Sequence, residues 1–279
     1  MQQTLINYNP YQFSVFRIYT GAYLLFIFLT AIPSSAAIWS NEGLVPSSAS
    51  NLTYGVFPNL LNYYDSPQQI TWFLLLLSLL SLMFLAGVAR RWASLLIWYG
   101  WTCLFNRNNL TLNPSIQYIG WLLLACCFIP SGEPWSFSRK NSSWQMPKLI
   151  FWCAWILLFT GYFFSGIDKL NSTSWVNGSA LQKIIESPLG KASDRWLTHL
   201  PALVLKLLNW LVIGFELACL PLAIFSITRK WAWIISLCIQ TGIFLILNID
   251  PIVFGMLTIV VFTFNKEWFK INLNAKPGI

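Results

Sequence analysis

Long, continuous apolar runs constrain the fold of this chain more than any other feature of its sequence. The run "ITWFLLLLSLLSLMFLAGVA" at 70–89 does not alternate with period two, which disfavours a membrane β-barrel. A helix needs about 20 mostly apolar residues to cross ~30 Å of hydrocarbon, and shorter spans are tolerated inside a bundle. The sequence therefore predicts an all-α, polytopic membrane helical bundle with about eight spans, at 13–32, 70–89, 92–106, 116–130, 149–165, 202–226, 231–248 and 251–265.

The composition agrees with one membrane domain covering residues 1–279. The chain is 56% hydrophobic and only 9% charged, which is far from the soluble average. Its net charge of +8 comes mostly from short loops, so we do not expect nucleic-acid binding. The six cysteines lie inside predicted spans and show no metal-binding spacing, so neither a disulfide framework nor a metal site is expected.

The basic residues of the short loops predict the orientation. If the eight spans alternate, ten of these residues fall on one side, which is cytoplasmic by the positive-inside rule. Both termini are then cytoplasmic, and we expect an integral protein of a bacterial inner membrane. The stretches 33–69, 107–115 and 166–201 face the opposite, outer side, where 178–200 is expected to form short interfacial helices. The ten residues are Arg90, Arg91, Arg139, Lys140, Lys148, Arg229, Lys230, Lys266, Lys270 and Lys276.

Ionisable side chains within the apolar runs are candidates for function, because a charge at membrane depth is costly without a partner. Arg17 lies near the cytoplasmic end of the first span, where it could either snorkel to the headgroups or form an internal ion pair. Glu216 lies deep in the sixth span, so it is either neutral or paired inside the bundle. Lys206 is near the outer surface, and snorkelling is favoured there.

The outer stretch "NRNNLTLNPSIQY", residues 106–118, is unusually rich in asparagine. It could be an ordinary turn-rich loop. Alternatively it could dip between two short helices as a polar lining, which requires that protein or trapped water satisfy its backbone. The second interpretation makes Asn106, Arg107, Asn109 and Asn113 candidate pocket residues.

An adjacent acid and base, Asp168 and Lys169, stand where the fifth apolar run ends in "FFSGIDKLNSTSWVNGSAL", 163–181. Lys169 could be an ordinary helix-end lysine that pairs with its neighbour or with headgroups. In an apolar outer pocket, loss of water would instead favour the neutral amine, which can act as a base. The small residues Ser165 and Gly166 before it would let another helix come close.

Four stretches of the chain resemble the HTTM family, the horizontally transferred transmembrane domain. They are "FRIYTGAYLLFIF" in the first span, "IWSNEGLVP" in the first outer loop, "NRNNLTLNPSIQYIGWLLL" entering the fourth span, and "YFFSGIDKLNSTSWVNGSAL" after the fifth. This domain is shared with vitamin K-dependent gamma-carboxylases and with a membrane protein that matures the sporulation delaying peptide toxin. The resemblance runs over nearly the whole chain, and the last stretch is the most specific.

The resemblance implies a role for Lys169. In the carboxylases, a lysine in a similar Gly-x-x-Lys-Leu context deprotonates reduced vitamin K. By that likeness Lys169 is the catalytic base, Leu170, Trp175 and Gly178 match its surroundings, and reduced vitamin K or another quinol is the implied cofactor. The candidate pocket residues are then Asn106, Arg107, Asn109, Asn113, Trp175, Glu216 and Arg17.

The chain also departs from the carboxylases. Asn113, Pro114 and Ser115 stand where they carry an Asn-Asn-His-type motif, and the lysine-to-tryptophan interval is one residue longer. The short tail after the last span lacks their large outer region, so we do not expect this chain alone to carboxylate glutamate in proteins.

Two functions stay open. The first is an enzyme that uses a quinol or lipid-soluble cosubstrate to modify a peptide or lipid. The second is a non-catalytic membrane partner in the maturation, export or immunity of a small secreted peptide, or a partner of a soluble protein, with the outer loops as the interface. A transporter is disfavoured because no inverted repeat is visible.

Overall fold

A computed structural model describes residues 8–138, 141–191, 193, 197 and 199–269. Within these residues the fold is helical, without strands, and only an isolated bridge joins Gly190 to Leu247. The helices are α1 (Pro10–Ala31), α2 (Ser35–Trp39), α3 (Pro67–Ala86), α4 (Arg90–Arg107), α5 (Pro114–Phe128), α6 (Lys148–Leu170), α7 (Thr173–Val176), α8 (Ala180–Glu186), α9 (Ala202–Ile224), α10 (Arg229–Ile246) and α11 (Asp250–Thr263).

Five stretches in the described part of the chain are long and apolar enough to cross a membrane. They are Pro10–Trp39, in which α1 continues into α2, and the helices α3, α6, α9 and α10. Helices α5 and α11 are apolar but shorter, and α4 carries arginines at both ends. The prediction of an all-helical membrane protein is thus confirmed in its general form, whereas the number of eight spans is not confirmed.

Polar caps and glycine fix where several of these helices begin and end. The Ser66 hydroxyl accepts a hydrogen bond from the backbone nitrogen of Gln69, and the Gln69 side-chain oxygen accepts one from the backbone nitrogen of Ser66, so that α3 starts with a complete capping box. Gly87, at φ +75°, ends α3 in the left-handed conformation that glycine adopts at little cost. Asn113 caps α5 in front of Pro114.

Two helix crossings depend on glycine. A Cβ atom on Gly21 would lie only 2.7 Å from the Cβ of Leu85, so α1 and α3 can pack this closely only without a side chain there. A Cβ on Gly166 would lie 3.1 Å from the Cβ of Glu216 and 3.1 Å from the backbone nitrogen of Leu217, where α6 crosses α9. Further contacts link α3 to α4, α5 to α4 and α11, and α10 to α9 and α11.

Helix α9 runs antiparallel to α6 and extends past its end. Trp155 near the start of α6 donates from Nε1 to the carbonyl of Ala223 (3.2 Å), while Lys169 in its last turn meets Glu216. The N-terminal half of α9 therefore continues beyond α6, and the short helices α7 and α8 pack against it. Asn209 of α9 secures this packing. Its side-chain nitrogen donates to the carbonyl of Gly178 (2.7 Å), and its side-chain oxygen accepts from the backbone nitrogen of Leu181 (3.1 Å).

The short helices expected within 178–200 are present in part. Helix α8 lies within 178–200, with Ile185 buried, and α7 immediately precedes that stretch. Residues 192, 194–196 and 198, on which a second helix of this stretch would fall, lie outside the described residues.

Candidate functional site

Lys169 is held by three hydrogen bonds between α6 and α9. Its Nζ donates to both carboxylate oxygens of Glu216, at 2.8 and 2.7 Å, and to Oγ of Ser165 at 2.7 Å. The Lys169 side chain is 18% exposed and that of Glu216 is 6% exposed. Asp168 is exposed to the surroundings. The partner of the lysine is thus Glu216, 47 positions away, and not the adjacent acid.

Local helix geometry explains why these side chains meet. Ser165 and Lys169 are four residues apart and so lie on one face of α6, one turn above each other. Gly166 lies between them and allows α9 to come close enough for Glu216 to reach Nζ. Gly166 therefore has the role expected of it, whereas Ser165 accepts a hydrogen bond from Lys169.

Trp175 completes the surroundings of the amine. The Nζ atom of Lys169 lies 5.0 Å from the centre of its ring, within the range of a cation–π interaction. Trp175 belongs to α7, whose position depends on the turn at Gly178. That glycine has φ +82°, and a side chain there would overlap Lys206 of α9. Glycine is required there on both counts, which explains its place in the motif.

The pair can exist in two protonation states with the same total charge. As an ion pair it holds an ammonium and a carboxylate; if the proton moves along the 2.7 Å hydrogen bond, a neutral amine and a neutral acid result. Taking two charges out of water is costly, so burial narrows the free-energy gap between these states. The arrangement can therefore supply either a cation or a base on the same nitrogen.

Two side chains of the polar stretch 106–118, those of Arg107 and Asn109, hold a neighbouring loop in place, while Thr111, Asn113 and Ile116 line a cavity. Arg107 is buried and donates from Nη1 to the carbonyl of Val45 (2.8 Å) and from Nη2 towards Asp65 (3.4 Å). Asn109 accepts and donates hydrogen bonds with Thr53. Both side chains thus tie the loop 40–66 to the end of α4.

The other two asparagines make local contacts. Asn106 donates to the carbonyl of Thr102 in its own helix (2.8 Å), and Asn113 accepts from the backbone nitrogen (3.0 Å) and hydroxyl (2.6 Å) of Ser115 at the start of α5. The bonds of Asn106, Arg107, Asn109 and Asn113 thus lie in α4, α5 and the neighbouring loops, while those of Lys169 lie between α6 and α9.

Arg17 forms an internal ion pair and does not snorkel. Its Nε lies 3.1 Å from Oε1 of Glu133, and Nε of Arg90 lies 3.1 Å from the same oxygen. All three side chains are buried. This cluster joins α1, α4 and the loop after α5 and is separate from Lys169. Sequence reasoning missed Glu133, although an acid in an otherwise basic loop was a usable signal.

Over most of its length the chain matches a known protein family. The family model of the HTTM domain matches residues 7–268. The match therefore includes the Lys169 site and the buried cluster of Arg17, Arg90 and Glu133. No curated protein and no solved structure matches the chain significantly. In the described part of the chain, no group of three or more His, Cys, Asp or Glu side chains is arranged to hold a metal ion.

Proposed function

Because the chain belongs to the HTTM domain family, we propose that it is a membrane enzyme in which Lys169 acts as a base on a quinol or another lipid-soluble cosubstrate, in order to modify a peptide or lipid on the outer side. The observation that supports this most is the fixed position of the Lys169 amine. Its Nζ is oriented by Ser165 and Glu216, largely removed from water, and next to an aromatic ring. A general base needs both a fixed geometry and an accessible neutral form.

Glu216 provides the route to the neutral form. The ammonium proton of Lys169 moves to a Glu216 oxygen across one hydrogen bond, which leaves the amine lone pair free. The amine then accepts the hydroxyl proton of the bound molecule: an O–H bond breaks and an N–H bond forms on Nζ. Electrostatic attraction between the new ammonium and the negative charge on the bound molecule stabilises the product of this step.

The residues around the amine fit an aromatic alcohol. The Trp175 ring offers a stacking face beside the amine, and Leu170 and Val176, which follow Lys169 and Trp175 in the sequence, are each 49% exposed apolar side chains. When bound, a quinol would supply an acidic hydroxyl and a carbon framework that oxygen can oxidise. Two cavities lined by described residues lie elsewhere, between α1, α4 and α5 and at the loop 54–63, so the pocket beside Lys169 stays a prediction.

The proposal includes eight membrane crossings with both termini in the cytoplasm of a bacterium. Helices α4, α5 and α11 pack among longer neighbours, and bundle interiors tolerate shorter spans. The buried Arg17, Arg90 and Glu133 neutralise much of one another's charge, which lowers the cost of placing α4 at the membrane. Eight crossings would put the Lys169 site on the outer side.

Quinol turnover in lipid nanodiscs tests this function. A short-chain naphthoquinol in aerated buffer is followed by absorbance, and its oxidation in excess of empty discs is the activity. Lys169→Ala removes the base, so we expect the excess rate to fall by about a hundredfold or more, in the range of general-base catalysis. Lys183→Ala removes an exposed lysine of α8 and should leave the rate unchanged.

The controls decide how a loss is interpreted. Size-exclusion profiles and circular dichroism must show that Lys169→Ala is inserted and folded. A wild-type protein no faster than empty discs, or a folded Lys169→Ala protein that keeps its rate, would remove the catalytic proposal. The membrane assignment would remain in either case.

A second candidate function is a non-catalytic partner of a secreted peptide, and the outer loop 40–66 favours it. Although Arg107 anchors this loop, its apolar side chains are strongly exposed: Leu52 by 95%, Tyr63 by 82% and Val56 by 79%. Exposed apolar groups of this size often mark an interaction site. Changing Leu52 and Val56 to serine should then abolish peptide maturation or immunity, while Lys169→Ala should not. The opposite result would favour the enzyme.

A further inference from the structure

Lys206 is a cation without a counter-charge near the start of α9. It lies one turn into the helix, and its Nζ is 4.8 Å from the centre of the Trp210 ring, within the range of a cation–π interaction. Among the described residues, no ion pair and no side-chain hydrogen bond includes Lys206, and its Nζ stays accessible from outside the protein. An anion from outside the chain can therefore reach this nitrogen.

The turn after α7 holds the Lys206 side chain in place. A Cβ atom on Gly178 would overlap Cγ of Lys206 and lie 3.0 Å from its Cβ, so the first part of the lysine stem packs directly against this glycine. Trp210 is fixed as well, because its Nε1 donates to the carbonyl of Val176 in α7 (3.0 Å). A cation whose stem and aromatic neighbour are already fixed loses less conformational entropy when it binds an anion.

The surface of α9 that follows Lys206 is apolar and exposed. Trp210 is 45% exposed, and its neighbours on the helix, Leu207 and Leu211, are 47% and 68% exposed. Helix α9 is one of the helices long and apolar enough to cross a membrane, so we expect hydrocarbon to cover this face. The surface thus changes from a cation near the end of the helix to apolar groups further in.

Lys206, Trp210 and Gly214 form a row along α9, because they are spaced four residues apart. Gly214 is exposed, and nothing lies within 4 Å of a Cβ atom placed on it. The row therefore begins with a cation, continues with a flat aromatic ring and ends in a shallow gap, about 12 Å from the lysine along the helix axis. A flexible apolar chain can lie in such a gap.

We propose that this row binds an anionic phospholipid of the leaflet in which α9 begins. The phosphate pairs with Nζ of Lys206, and an acyl chain lies along Trp210 into the gap at Gly214. The order of the groups matches, because a phospholipid places its charge at the membrane surface and its apolar chains towards the middle of the bilayer. A headgroup without a cation of its own, such as that of phosphatidylglycerol, fits Lys206 best, since a choline or ethanolamine group partly neutralises the phosphate.

This lipid site does not depend on Lys169 acting as a base. Glu216, the partner of Lys169, lies ten residues further along α9 than Lys206, which is about 15 Å by the rise of the helix. Substitutions at Lys206 and Gly214 therefore leave both members of the Lys169 ion pair in the chain. Failure of the catalytic proposal would leave the lipid site standing, and the reverse also holds.

Photocrosslinking in phosphatidylcholine nanodiscs gives the test. Two trace probes carry the same diazirine-bearing acyl chain, one on phosphatidylglycerol and one on phosphatidylcholine, and labelled peptides are mapped by mass spectrometry. In the wild type, the phosphatidylglycerol probe should label residues 207–217 about fivefold more than the phosphatidylcholine probe, as expected for one lysine near the membrane surface. Lys206→Met keeps a stem of similar length and should remove this excess, whereas Lys206→Arg keeps the charge and should retain it.

The gap at Gly214 is tested separately. Gly214→Leu fills it and should reduce labelling by both probes about fourfold, which corresponds to the burial of one methylene group. Gly242→Leu is the matched control, since nothing lies within 4 Å of a Cβ atom at that position of α10 either. Lys183→Met removes an exposed lysine of α8 and is the control for charge. Both controls should be labelled like the wild type.

Three results would overturn the proposal. The first is equal labelling by the two probes in the wild type, or an excess that persists in Lys206→Met. The second is unchanged labelling of a folded Gly214→Leu protein. The third is loss of the excess on adding millimolar inorganic phosphate at constant ionic strength, because the site would then take soluble phosphate and not a lipid. If Gly214→Leu fails to fold, the comparison of Lys206→Met with Lys206→Arg still decides the outcome.

Discussion

Lys169 and Glu216 form an ion pair in which both carboxylate oxygens lie within 2.8 Å of the amine nitrogen. The pair joins the last turn of α6 to the second half of α9, where Gly166 removes the side chain that would keep the helices apart. The pair therefore has a structural consequence, in addition to the chemical role that we propose for it. The two can be separated experimentally because they respond differently to single and double substitutions.

Breaking one side of this pair should destabilise the protein more than removing both sides. Glu216→Leu leaves a largely buried ammonium without its carboxylate, and we expect a loss of roughly 3–5 kcal/mol. Lys169→Leu combined with Glu216→Leu removes both charges and should recover most of that loss, while the proposed activity stays absent. Thermal unfolding in detergent measures the stability of each variant.

The more exposed pair of Lys191 and Asp250 serves as control for this prediction. Their side chains are 22% and 44% exposed, so Asp250→Asn should cost only about 0–1 kcal/mol. Equal stability losses in Glu216→Leu and the double variant would contradict the rescue that we expect from removing both charges.

Gly166→Val should destabilise the crossing of α6 and α9. The new side chain would meet the Cβ of Glu216 and the backbone of Leu217, and overpacking of this kind costs about 1–3 kcal/mol. Gly214→Ala in α9 is the matched control, because nothing lies within 4 Å of a Cβ there. It should instead stabilise by roughly 0.5–1 kcal/mol through helix propensity. Melting temperatures shifted in the same direction would contradict the crossing geometry.

Glu133→Gln should be one of the most destabilising single changes in the chain. It leaves two buried guanidinium groups, those of Arg17 and Arg90, without their shared carboxylate, at a cost of roughly 3–5 kcal/mol. Glu186→Gln, on the exposed face of α8, removes the same charge and should have little effect. The comparison uses the yield of folded protein and its melting temperature; a Glu133→Gln protein as stable as the control would contradict a supporting role of the cluster.

Arg107→Lys should release the loop 40–66. An ammonium cannot reproduce the fork that contacts the carbonyls of Val45 and Pro46 and the carboxylate of Asp65 together. Brief chymotrypsin treatment should then cut severalfold faster at Tyr54 and Tyr63. Arg91→Lys, at an exposed position of α4, is the control and should leave the cleavage rate unchanged.

Reporter fusions test the eight crossings and the orientation. Alkaline phosphatase, which folds only outside the cytoplasm, should be active when fused after Leu110 or Leu189 and inactive after Ser143 or Ile227. This pattern follows from alternating spans with basic loops inside. An inactive fusion after Leu110 with an active one after Leu189 would mean that α4 and α5 do not both cross.

The sequence alone determined the helical membrane character, because apolar length and lack of alternation are properties of single segments. Several helix starts are local as well, since capping by Asn113 and the capping box of Ser66 with Gln69 depend only on neighbours along the chain, although the sequence analysis did not use them. The HTTM resemblance, too, could be seen in short motifs, and the family match confirmed it.

Only the tertiary structure decided the partners. Lys169 could pair with Asp168, with lipid or with a distant acid, and no local rule selects Glu216, since the register between α6 and α9 brings them together. Likewise Arg17 pairs with Glu133, 116 positions later in the sequence, and Arg107 anchors a loop that lies about 60 residues earlier in the sequence. Charges in an apolar bundle must find counter-charges wherever packing places them, and packing is a property of the whole chain.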